Sequence, residues 1–100
     1  STNVVNSNGA MKTAVAKDKR AIGYVGIGYI DKSVRAPKLD GMTATQKNAA
    51  KGKYTVVRDL FMNTKGEPAG VTKLFIDYIY SPEGAKIVSD NGYIPLKKKK

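Results

Sequence analysis

Ser7, Asn8 and Gly9 open a stretch with helical spacing, and residues of this kind at a helix start can hold an anion. A serine or asparagine oxygen accepts an amide of the next turn, and the free amides sit at the positive end of the helix dipole. The same residues also make an ordinary cap. Arg58 and Asp59 are the second candidate, because they interrupt an otherwise apolar strand-like run, residues 54–63 (YTVVRDLFMN). Two readings fit them: a neighbouring charge pair at a sheet edge, or a strand that passes through a hinge or cleft.

Catalytic chemistry has little to work with. The chain has no His and no Cys, so imidazole zinc sites, His-based proton transfer, thiolate chemistry and every Ser-His or Cys-His triad are excluded. The eight carboxylates are scattered, and no pair is spaced for glycoside hydrolysis. Gly23, Gly26 and Gly28 read G-x-x-G-x-G, the dinucleotide fingerprint reversed, and lie within a strand-like run where no pyrophosphate could meet a helix start. There is no G-x-x-x-x-G-K-[ST] phosphate loop. The expectation is a protein that is not an enzyme, with no catalytic residue, no metal ligand set and no cofactor.

The elements that must position the candidates are legible from periodicity. After the Asn/Ser-rich start, residues 9–19 place Ala10, Met11, Ala14 and Val15 on one helical face, with Ser7 or Asn8 as cap. Residues 21–30 (AIGYVGIGYI) are apolar on both faces and rich in glycine, which suits a buried strand better than a helix. Asp31–Ser33 and Asp40-Gly41 are turns flanking a short edge strand, residues 34–39. Thr43-x-x-Gln46 has the form of a capping box and predicts a surface helix over 44–51. Residues 54–63 are the second principal strand. Val71, Leu74, Phe75, Tyr78 and Ile79 then form the strongest helical stripe, predicting a helix over 71–80 with Phe75 and Ile79 in the core. Ser81-Pro82 stops that helix and starts another over 82–91. The fold class is therefore α/β, a small mixed sheet packed by helices.

With 100 residues the chain is one domain or a piece of one, and 41% hydrophobic residues mark it as globular. Its net charge is +10, of which Lys97–Lys100 supply four, a run expected to be disordered. A basic surface attracts phosphate-bearing partners, so a small nucleic-acid-binding domain is an alternative reading. Only three of the cations are Arg, the residue on which base readout leans. No apolar run approaches the length needed to span a bilayer, and the N-terminus is not a signal peptide. It also lacks an initiator Met, so the chain reads as a processed or excised segment.

Three segments taken together carry a family resemblance: NGAMKTAVAKDKRAIGYVGIGYID, KGKYTVVRDLFMNTKGEPAG and VTKLFIDYIYSPEGAKIVSDNGYIPL. In this order and spacing they resemble the C-terminal part of the phosphate-binding proteins of phosphate ABC importers, over nearly all of residues 5–96. The resemblance implies a share of a two-lobed, hinged receptor outside the cytoplasm, periplasmic or at the cell surface. Its partners would be inorganic phosphate, held by the full-length parent, and a membrane permease. In that family an R-x-x-x-S-G-T motif and loops of the N-terminal lobe grip the ion. No Arg precedes Arg20 here and no Ser-Gly-Thr occurs, so those roles cannot be carried over. What remains resembles scaffold, with Ser7, Asn8 and Gly9 as the candidates for a residual ligand contact. A lone copy would then self-associate, rearrange its strand pairing, or expose a large apolar patch.

Overall fold

The computed structural model describes residues 2–97. It divides into two compact units, one running to Thr55 and the other from Val56. The first holds α1 (Asn8–Lys17), a 3-10 turn (Ile27–Tyr29) and α2 (Gln46–Ala50); the second holds α3 (Gly70–Ile79) and α4 (Pro82–Asp90). The expected helices are all present, within about two residues at most ends. Of the lysine run, Lys97 is exposed and residues 98–100 lie outside the described residues.

In the first unit, α1 starts where the sequence places it. Ser7 is the cap, and its hydroxyl accepts from the Ala10 amide at 3.1 Å. The helix ends two residues earlier than predicted because Asp18 diverts the chain. Its carboxylate accepts the Arg20 amide at 2.9 Å, and its carbonyl accepts the Ala21 amide at 3.0 Å. Asp40 and Gly41 both adopt positive φ, 48° and 77°, and close a two-residue turn between Leu39 and Met42. Glycine is the natural occupant of the second of these positions, since it meets no Cβ penalty there. The edge strand expected over 34–39 is reduced to this single bridge.

Helix α2 is capped by Thr45, not by Thr43: the Thr45 hydroxyl accepts from the Asn48 amide at 3.0 Å, while the Asn48 carboxamide donates to the Thr43 carbonyl at 2.9 Å. Expected on the surface, α2 instead carries Ala49, 8% exposed. The cause is local. The amides of Lys53 and Tyr54 both donate to the Asn48 carbonyl, folding the following chain back over the helix.

In the second unit, α3 and α4 meet at a tight corner. The Ser81 amide donates to the Tyr78 carbonyl, and the Ser81 hydroxyl caps α4 by accepting from Gly84 at 3.1 Å, with Pro82 in the first turn. Gly84 is buried against the carbonyl oxygens of Tyr78 and Ile79, both closer to an added Cβ than any real contact. Ala85 and Val88 are half-buried, as the spacing predicts. Phe75 is not. It is 64% exposed, and Val71 and Leu74 on the same face are 81% and 69% exposed. Ile79, the other residue expected in the core, is half-buried. The stripe is a real helical face, but among the described residues its Val71, Leu74 and Phe75 are left uncovered.

The mixed sheet does not form among the described residues. Residues 21–30 are extended and then tighten into the 3-10 turn at Ile27–Tyr29; residues 54–63 run with no backbone hydrogen bond beyond Tyr54. A helix satisfies its own amides, whereas a strand borrows its partners from a neighbour. Among the described residues no neighbouring strand reaches these two runs. The consequence is measurable in area: two separate compact units of this size would together expose about 6,700 Å², whereas the chain exposes 8883 Å².

Candidate functional site

The start of α1 is the best-built tertiary feature of the first unit. Three contacts hold it to the segment that follows the helix. The Asn8 side-chain oxygen accepts from the Gly26 amide at 3.1 Å. The Lys12 ammonium donates to Asp31 at 2.7 Å, and Asp31 also accepts the Ser33 amide at 2.9 Å and the Ser33 hydroxyl at 2.6 Å. Between them Gly23 lies so close to α1 that a Cβ on it would meet Met11 Sδ at 2.6 Å and Val15 Cγ2 at 2.9 Å. The absence of a side chain at Gly23 is what lets the extended segment lie on the helix.

Ser7, Asn8 and Gly9 are therefore brought together at a helix start, but two of them are already engaged. Ser7 caps Ala10 and Asn8 tethers Gly26. The backbone amides of Ser7, Asn8 and Gly9 make no hydrogen bond among the described residues, and those of Asn8 and Gly9 lie in the first turn of the helix. The arrangement works first as a cap and a tether, and what it offers an anion is two amides at the positive end of a ten-residue helix.

Arg58 and Asp59 lie in the second unit, both exposed, on the extended run without strand partners. Neither makes an ion pair among the described residues. No group of three or more carboxylates that could hold a metal occurs among the described residues.

The Lys12–Asp31–Ser33 cluster escapes sequence reading. The Asp31-x-Ser33 pattern signals a local turn, but nothing in the spacing links it to Lys12, 19 positions earlier. The ammonium first, and then the two Ser33 donors, hold the Asp31 carboxyl well below the usual carboxylate range.

No protein-family model matches the chain. Known proteins do. The chain is 46% identical over 94 residues to the phosphate-binding protein PstS 2 of Streptococcus agalactiae, covering 93% of this chain and 32% of that protein. It is 39% identical to the phosphate-binding protein PstS of Bacillus subtilis, covering 91% of this chain and 31% of the relative. A crystal structure from Clostridium perfringens, described as a phosphate ABC transporter substrate-binding protein with bound phosphate, superposes with a TM-score of 0.81 at 38% identity. That match covers 90% of this chain and 37% of the other. The chain thus spans about a third of the length of the relatives it matches. Over that third, the chain is similar in both sequence and structure to phosphate-binding proteins.

Proposed function

We propose that this chain is part of a receptor that captures inorganic phosphate for ABC-type import, and that it makes and breaks no bond itself. The observation that supports this most is a match over nine-tenths of the chain, at 38% identity, to a structure that carries phosphate. In a complete receptor the ion would be gripped in a cleft between two lobes, outside the cytoplasm, and handed to a membrane permease. Selectivity in such a site rests on amides and a few donors that match the oxyanion in a closed, dry cleft.

The chain's own share of that work is scaffold. The α1 start and its tether to Gly26 set the course of the segment after the helix, and the α3–α4 corner sets the other end. Residues 21–26 and 54–63 complete a mixed sheet when strands from the rest of the receptor reach them. Arg58 and Asp59 would then sit where a strand crosses between lobes, and Ser7, Asn8 and Gly9 would supply at most a peripheral amide contact.

Calorimetric titration with orthophosphate tests the proposal in two samples. The chain alone binds at millimolar strength or worse, about −4 kcal/mol or smaller in magnitude. A chimera in which this chain replaces the matching third of the Bacillus subtilis relative keeps that relative's affinity within about tenfold, or ~1.4 kcal/mol. A well-folded chimera with no phosphate binding would overturn the reading. Salt-sensitive oligonucleotide binding by the chain alone would favour a nucleic-acid role instead.

A further inference from the structure

The second unit exposes an extended apolar run that has no strand partner among the described residues. Residues 56–62 present Val56 (70% exposed) and Leu60 on one face and Val57 and Phe61 (79%) on the other. No backbone hydrogen bond reaches Val56–Met62 from any described residue, so both edges of the run are open. Apart from Arg58 on the first face and Asp59 on the second, the segment is apolar on both faces and open at both edges, the character of a central strand covered by layers above and below. A second copy could supply one edge by symmetric pairing. It would leave the other edge and one face bare, and would bring two chains of charge +10 together.

We infer that this surface docks the strand-bearing remainder of a phosphate-binding protein, and that docking needs no covalent link between the two parts. The inference rests on the functional reading above. The matched relatives supply about two-thirds of their length beyond the part that this chain matches. The area is ample: the chain exposes 8883 Å² over both units, about 2,200 Å² above two compact units of its size, and each partner of a specific interface buries about 800 Å². The exposed face of α3, with Val71, Leu74 and Phe75, extends the same apolar surface requirement to a helix.

The test uses the chimera with the Bacillus subtilis relative, carrying a protease site at each junction with this chain. After folding and cleavage, the parts are expected to co-elute as a 1:1 complex and to keep phosphate affinity within about threefold of the uncleaved chimera. The paired change Leu60→Asp and Phe61→Asp, introduced into this chain, should reduce the co-eluting fraction at least tenfold after cleavage, whereas Lys47→Asp on the first unit should leave it unchanged. Separation of the unaltered parts on cleavage overturns the inference, as does a chimera that fails to fold, or a stable homodimer of this chain that excludes the remainder. Co-elution without phosphate binding would uphold the docking and overturn the functional reading, so the two fail separately.

Discussion

At Gly23 the lack of one carbon decides whether the extended segment can lie on α1. Met11 is flexible and can retreat from a new Cβ, but Val15 is stiff at χ1 and cannot. Gly23→Ala adds that carbon and should already cost about 1 kcal/mol, because the loss of unfolded-chain freedom offsets only part of the crowding against Val15. Gly23→Val should cost about 1–3 kcal/mol, the usual range for overpacking. Urea unfolding of Gly23→Val with and without Val15→Ala separates packing from backbone effects: if crowding against Val15 is the cause, the second change recovers part of the loss. Asp31 gives a pH signature at the same scale. Its folded carboxyl titrates below its ordinary value, so the unfolded state binds the proton more readily as pH falls. Its contribution is complete above the ordinary carboxylate value, about 3.9, and is lost progressively as pH drops below it. Thermal midpoints of the chain and of Asp31→Asn should therefore differ at neutral pH and converge in acid. Because the pair is solvated, the difference should also shrink in high salt. Equal midpoints at neutral pH would show that Lys12 and Asp31 contribute nothing. The caps at Ser7 and Ser81 were legible because a cap is a relation across three residues. The Lys12–Asp31 pair was not, because only the folded chain brings those positions together.

Helices and strands differ here in how much of their support is local. The sequence reading placed α1, α3 and α4 closely, since capping residues, apolar spacing and the Ser-Pro stop all act within a few residues of the element. The same reading gave strands at 21–30 and 54–63 from residue types that fit a sheet, but a strand's hydrogen bonds depend on segments elsewhere, and these residues do not include them. Helix α2 departs from its surface expectation at one residue, Ala49, because the Lys53 and Tyr54 amides fold the following chain back over it. The α3–α4 corner offers the sharpest test of an element. Gly84 faces backbone oxygens of Tyr78 and Ile79, which cannot move aside as a side-chain tip can. Gly84→Ala should cost about 3 kcal/mol or more, at the upper end for overpacking, despite alanine's better helix propensity. Ser81→Ala, which removes the α4 cap but leaves the corner's packing, should cost about 1 kcal/mol. Circular dichroism at 222 nm during denaturation ranks the two; a Gly84→Ala protein as stable as its parent would mean that α4 can shift away from α3.

For the whole molecule, the exposed stripe turns an expectation about the core into a statement about missing company. A buried phenylalanine cut to alanine costs about 3–5 kcal/mol, because its transfer energy is lost and a cavity remains. Phe75 is 64% exposed in this chain, so truncation opens no cavity and removes few contacts. Phe75→Ala should accordingly cost less than about 1 kcal/mol when the chain is studied alone, as for surface sites generally. In the chimera with the remaining two-thirds of a relative, the same change should recover the cost of a core residue, because a covering layer then lies over α3. The difference between the two measurements, by denaturant unfolding at matched pH and salt, reports how much of this helix's packing comes from the added part of the chimera. If the isolated chain already loses 3 kcal/mol or more, then α3 is covered by the chain's own residues or by a second copy, and sedimentation at two concentrations tells which. If neither context registers the change, the stripe is a solvated face even in the complete protein, and the apolar spacing of Val71, Leu74, Phe75 and Tyr78 would need a partner other than the rest of the receptor.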